Sequence, residues 1–218
     1  MGKGFGVAIG LLHSVLLLGQ NIGIDRPDYT ESPNLTESKH LQLETGIRIQ
    51  HGLSPNLNAR IRLGLNAELR CMAGIGEGIE LGGKWVYHPT KAQRLGLVAG
   101  VNPLNKVGRF IFAAEHDLPW GIIAWNLGGM RHQKTTTPFA TLGGTFNCTP
   151  TLQVLHEAVL DPTQWSSIQW NFGAIWHPKP TFAVDLLVEP PWSKPFWAMH
   201  LGYTTAFRLS RSKPEAPR

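Results

Sequence analysis

Charge is scarce in this chain of 218 residues: 20 Lys and Arg against 15 Asp and Glu make 16%, where a soluble domain carries roughly 25%. Two cysteines exclude a disulfide scaffold. Beyond the first two dozen residues no run approaches the roughly 20 apolar residues of a membrane-spanning helix, which excludes a helical membrane protein. The histidines lack H-E-x-x-H spacing, and Cys71 and Cys148 fall on non-neighbouring segments, so no metal site or cofactor is expected. The stretch GIGEG at 74–78 lacks the lysine and helix of a phosphate loop. What is plentiful is turn residues: 24 Gly and 16 Pro punctuate the chain without a collagen-like or disordered bias.

Residues 1–23 read as a secretory signal, with Lys3 ahead of an apolar run from Phe5 to Leu18. The small-residue cleavage pattern is incomplete, since Gly19 has Leu17 and Gly23 has Asn21 two places earlier. A buried N-terminal helix or single anchor is the competing reading. Residues 24–39 form a polar leader, and residues 209–218 a polar tail.

From His40 onward the apolar residues recur with period two, and helical period is absent. Leu41, Leu43, Thr45, Ile47 and Ile49 alternate with Gln42, Glu44, Arg48 and Gln50. The next segments set Ala59, Ile61 and Leu63 against Arg60 and Arg62, then Leu69, Cys71 and Ala73 against Glu68 and Arg70. Ile79, Leu81, Trp85 and Tyr87 oppose Glu80 and Lys84; Leu95, Leu97, Ala99 and Val101 oppose Arg94. Phe110, Phe112 and Ala114 oppose Arg109, Glu115 and Asp117, and Ile123, Trp125 and Leu127 oppose Asn126. Ala140, Leu142, Phe146 and Cys148 then face away from Thr141, Thr145 and Asn147, and Leu152 and Val154 from Gln153 and Glu157. Ile168 to Trp176 alternates around Gln169 and Asn171; Phe182 to Val188 flanks Asp185; Trp197 to Phe207 opposes His200 and Arg208. About twelve strands result, over residues 40–208.

Which solvent each face meets decides the fold. The apolar parity carries no Lys, Arg, Asp or Glu, only His116, His156 and the cysteines as ionisable groups. Its aromatics, including Trp85, Tyr87, Phe110, Trp170, Trp176, Trp197 and Phe207, stand near strand ends, where membrane barrels place interfacial girdles. The other parity gathers Arg48, Arg60, Arg62, Arg70, Lys84, Arg94, Arg109 and Arg208 with Glu44, Glu68, Glu80, Glu115, Asp117, Glu157 and Asp185. The fold expected is all-β, a closed antiparallel up-and-down transmembrane barrel of about 12 strands whose lumen is polar and near neutral. Short turns are expected at GLNA, Leu118 to Trp120, Thr149–Pro150 and HPKP, and external loops at HGLSPNL, NPLNKVG, MRHQKTTTP, VLDPTQW and VEPPWSKP. HPTKAQR is long for a turn and GIGEG short for a loop.

The run Asp25 to Pro33 followed by HLQLETG at 40–46, then Arg62, Gly64 and Leu65, Glu68-Leu69-Arg70, and Gly82-Gly83-Lys84, resembles the outer-membrane transporter family associated with the meta-cleavage pathway of phenol degradation. The likeness covers about residues 25–87 and implies a membrane-embedded barrel that passes small compounds. The chain departs from that pattern at NLTESK and in the polar tail after Phe207.

Candidate lumen residues are Glu44, Arg48, Arg60, Arg62, Glu68, Arg70, Glu80, Lys84, Arg94, Arg109, Glu115, Glu157, Asp185 and His200. Arg60, Arg62 and Arg70 either select anions or pair with Glu44, Glu68 and Glu80, since buried charges need partners. Asp25, Arg26, Asp28 and Glu31 form either a charged plug or a solvated leader. The function expected is a passive pore or uptake channel for small, aromatic or apolar compounds in the outer membrane of a Gram-negative-type cell, not an enzyme. Its partners are outer-membrane lipids, a small-molecule permeant and the barrel-assembly machinery. Acids interleaved with bases leave no phosphate track for nucleic acid, despite a sequence pI near 9.4. Two alternatives stand beside the pore. One is a soluble lipocalin-like carrier with its apolar face inward. The other, an outer-membrane lipid hydrolase, suffers from the lack of a serine two positions after His116 or His156.

Overall fold

Twelve strands form in the computed structural model, which describes residues 30–74, 78–160, 168–191 and 197–209. They are β1 (His40–Ile49), β2 (Leu53–Leu63), β3 (Ala67–Gly74), β4 (Gly78–Tyr87), β5 (Gln93–Asn102), β6 (Val107–Leu118), β7 (Gly121–His132), β8 (Thr135–Asn147), β9 (Leu152–Leu160), β10 (Ile168–Lys179), β11 (Phe182–Glu189) and β12 (Ala198–Arg208). Each pairs antiparallel with its sequence neighbours, and β1 closes on β12 from His40↔Arg208 to Ile49↔Met199. Closure gives every strand a hydrogen-bonded neighbour on both sides, as hydrocarbon requires. The signal, Asp25, Arg26, Asp28 and residues 210–218 lie outside the described residues.

The alternation sets the two faces. Residues of the apolar parity point outward, among them Phe110 (55% exposed), Leu127, Leu142 and Leu201, and they encircle the barrel. An apolar band of this extent is foreign to water-facing monomers. Glu44, Arg60, Glu68, Arg70, Lys84, Glu157 and Asp185, all of the other parity, are buried inside. A lipocalin-like carrier needs the opposite arrangement; the orientation of the wall overturns that alternative, because the apolar side chains have no interior to line.

Three expected connections are strand instead, each around a proline. Pro55 pairs with Ile47 of β1 and lies before the first β2–β3 pair, Asn56↔Gly74. Pro138 pairs with Gly129 of β7 and lies before β8 meets β9 at Ala140↔Leu160. Both prolines lie just beyond the described pairs with their second neighbour, so the missing N–H costs none of those ladder bonds. HGLSPNL shrinks to residues 50–52, and MRHQKTTTP to a two-residue turn at 133–134 in which Gln133 takes a left-handed φ of 54°. Pro178 is absorbed by a register shift between Trp176 and Lys179, so β10 runs through most of HPKP. Five connections, 64–66, 88–92, 119–120, 148–151 and 180–181, share the end where β1 begins, called proximal below; the others are distal.

Leu186 stands outward in the middle of β11, between Ala174 and Leu201, and is 40% exposed. Leu186→Arg is expected to lower folded stability in lipid by about 2–4 kcal/mol, the scale for a cation at mid-bilayer. Urea titration in liposomes measures it; wild-type stability in the variant would show that this face does not meet hydrocarbon.

Candidate functional site: a charged and occupied lumen

Hairpin register brings the inward charges together. Arg60 of β2 stands opposite Gln42 of β1 and Arg70 of β3, with Glu44 and Glu68 one step away on the diagonals. Its guanidinium forks between them: Nη1 donates to Glu44 Oε1 at 2.8 Å, Nε to Glu68 Oε1 at 2.8 Å and Nη2 to Glu68 Oε2 at 3.1 Å. Gln42 and Asn58 donate to the remaining Glu44 positions at 2.8 and 3.0 Å. Arg60 is 1% exposed.

Further networks line the rest of the wall. Arg94 faces Glu115 across β5–β6 and reaches Asp117 two residues on, donating from Nε to Glu115 at 2.8 Å and from Nη1 to Asp117 at 2.8 Å. Arg109 Nε donates to Glu80 at 2.6 Å. On the far side Glu189 accepts from Arg48 at 3.0 Å and from Gln169 at 3.1 Å, and His200 Nε2 contacts it. Glu157 accepts from Asn171 at 2.8 Å, and Asp185 of β11 is buried inward at the level of Gln153. Arg62 takes no part: it donates to the carbonyls of Gly64 and Leu65 in the proximal turn. Among the described residues no three His, Cys, Asp or Glu side chains gather as a metal site.

The lumen also holds the leader. Residues 31–37 form neither strand nor helix, and Glu31, Pro33 and Thr36 are buried. Glu31 bridges two arginines, accepting from Arg70 Nη1 at 2.8 Å and Arg109 Nη1 at 2.7 Å. Asn126, its amide oriented to satisfy both groups, bonds the Glu31 backbone. Ser32 Oγ and Asn34 Nδ2 donate to Glu115 at 2.7 and 3.0 Å, while Lys84 Nζ donates to the carbonyls of Ser32 and Asn34. Thr36 donates from both N and Oγ1 to Glu68 Oε2 at 2.7 Å, and Thr30 Oγ1 donates to Thr141 at 2.8 Å. The segment thus crosses from β8 to β3.

Two glycines make room for it. A Cβ at Gly96 would lie 2.9 Å from Pro33 Cβ, and one at Gly143 would lie 3.3 Å from Thr30 Oγ1. Sequence reasoning missed Thr30, Ser32, Asn34 and Thr36. The one available signal was an unpatterned polar run ahead of the first strand.

The outward aromatics divide between the rims. Trp85, Tyr87, Trp176 and Phe207 stand toward the proximal end, and Trp170 and Trp197 at the distal end, all exposed. Trp85 stacks on Tyr87, with ring centroids 6.4 Å apart, and Trp120 on Phe146 at 4.9 Å, two further members of the proximal belt. His156 stacks on Phe146 and lies between Gly144 and Phe172; His116 lies between Gln93 and Ile123. No serine stands across from either, so the hydrolase geometry has no nucleophile at these positions.

Removing Arg60 takes the countercharge from two buried carboxylates, Glu44 and Glu68. Arg60→Ala is expected to cost about 3–5 kcal/mol of folded stability, and Arg62→Ala, at the rim, no more than about 0.5 kcal/mol. Equal losses in denaturant titrations of the two variants would show that the Arg60 network carries no such weight.

No protein-family model matches the chain, and no curated protein matches it. Solved structures do. A KdgM porin in complex with disordered oligogalacturonate superposes with a TM-score of 0.66 at 13% identity, over 76% of this chain and 99% of the porin. The KdgM porin by itself gives 0.63 at 12%, with the same coverage. At this identity the likeness speaks to fold alone. The chain is a closed twelve-stranded transmembrane barrel built as a porin is built.

Proposed function

We propose that this chain is an outer-membrane channel of a Gram-negative-type cell that passes small solutes passively, and that residues 30–38 close its lumen at rest. The observation that carries the reading is the leader itself. It lies inside a wall whose exterior suits lipid, and side-chain contacts rather than ladder bonds hold it there. A barrel needing a permanent core would fill that space from its own strands, as small barrels do. Here a separable segment fills it.

The wall also suits solutes with an apolar part. Val98 and Ile111 face each other inward across β5 and β6, and Val86 faces Gly96 across β4 and β5. Small aromatic or apolar compounds, the permeants implied by the resemblance to the phenol-pathway transporters, match this strip. Outer-membrane lipids contact the exterior. The barrel-assembly machinery receives β12, which closes on the outward Phe207.

Planar-bilayer recording of the full chain tests the reading. Wild type is expected to give small, intermittent currents. Gly96→Val, whose added carbons collide with Pro33, is expected to raise the time-averaged conductance several-fold while keeping the heat-sensitive folded band on gels. Silence from both folded proteins, or recovery of the wild type in the soluble cell fraction, rejects the channel.

A further inference from the structure

We infer that Arg70 and Arg109 form a carboxylate-binding site for the permeant, occupied in this structure by Glu31, and that the solutes it admits are small organic carboxylates with an apolar body. As a station on a transport route the site rests on the channel reading; as a binding site it is tested separately.

Two arginines of the wall turn to the leader. The β2–β3 register sets Arg70 opposite Arg60, and like charges directly opposite repel. Arg60 is answered by Glu44 and Glu68. Arg70 donates instead to Glu31, which lies outside the wall's sequence. Arg109 has Glu80 at 2.6 Å and still turns its Nη1 to Glu31 at 2.7 Å. Two guanidinium groups from strands three apart in the wall thus converge on one carboxylate, each donating a charge-assisted hydrogen bond to a different oxygen. Gly82, opposite Arg70 on β4, adds no side chain to the space beside it.

The second element of recognition is apolar. Pro33 follows Glu31 by two residues, about 7 Å in extended chain, and is fully buried in the notch at Gly96. The notch lies directly across from Val86. Carboxylate and ring are therefore held at the two ends of one site. A free solute with a carboxylate and a compact apolar ring offers the same two groups on one molecule, and entering would displace the leader. Because the leader competes in cis, the apparent affinity of the intact chain falls by the fraction of time the site is vacated.

Calorimetric titration of the folded full chain in detergent tests this, with sodium benzoate, sodium acetate and benzyl alcohol as probes. Glu31→Ala is expected to bind benzoate at least about tenfold more tightly than wild type does, the scale of one charge-assisted hydrogen bond. Acetate should bind it more weakly and benzyl alcohol not measurably. Adding Arg70→Gln to Glu31→Ala should abolish the gain. Should Glu31→Ala fail to fold, Glu31→Gln keeps the side-chain shape and permits the same comparison. Equal benzoate affinity in wild type and variant, or equal binding of benzoate and benzyl alcohol, overturns the site. Benzoate binding by a variant that stays silent in bilayers upholds the site and rejects the channel.

Discussion

An inward-facing charge in a twelve-stranded barrel has nowhere to go. The outer face is committed to hydrocarbon, and the inner space is too narrow to solvate each ion as bulk water would. Every such group must then find a partner inside, because a buried charge left alone costs several kcal/mol. Arg60 meets this with two carboxylates from its flanking strands. Arg70, immediately across from it, carries a second positive charge into the same space. The leader's Glu31 meets it, and from that contact follows the path of the whole segment: Pro33 into the Gly96 notch, Asn34 to Glu115, Thr36 to Glu68.

The faces of the wall were legible in the sequence because period two survives any uncertainty about strand ends. A side chain's face depends only on parity, so Trp85 and Lys84 separate correctly wherever β4 begins. Loop lengths were less legible. Pro55 and Pro138 look like breakers in a linear reading, yet a proline breaks only the ladder bond it would have donated, and both still take their places in the pairing, opposite Ile47 and Gly129 and one step past the described pairs on the other side. Stagger is a property of two strands together and leaves no mark on one.

Height along the barrel was the other hidden quantity. Arg60 and Arg62 have the same parity and each stands between apolar neighbours, but two residues move the second from the lumen to the carbonyls of the proximal turn. The opposition of Arg60 and Arg70 could have been read, since a hairpin centred on Leu65 fixes it. The leader's contacts could not. They join residues 30–36 to positions as far on as Thr141, with no periodicity on the leader's side to announce them. Of the four charged leader residues singled out in the sequence, Glu31 alone falls within the described residues.

A plug held by side chains behaves differently from one held by strands. Residues 31–37 contribute no ladder bond, so their departure leaves the hydrogen-bonded wall intact. The contacts they break are ionic or polar, and the strength of such contacts depends on how dry the lumen is. If the segment gates the channel as proposed, water enters as it withdraws, the local dielectric rises, and the contacts that remain weaken. Opening by this route reinforces itself, and so does closing, because each restored pair expels water from the next. The arrangement favours two states over a graded series. A solute carboxylate that takes the place of Glu31 on Arg70 and Arg109 would act at the contact on which the dry state depends most.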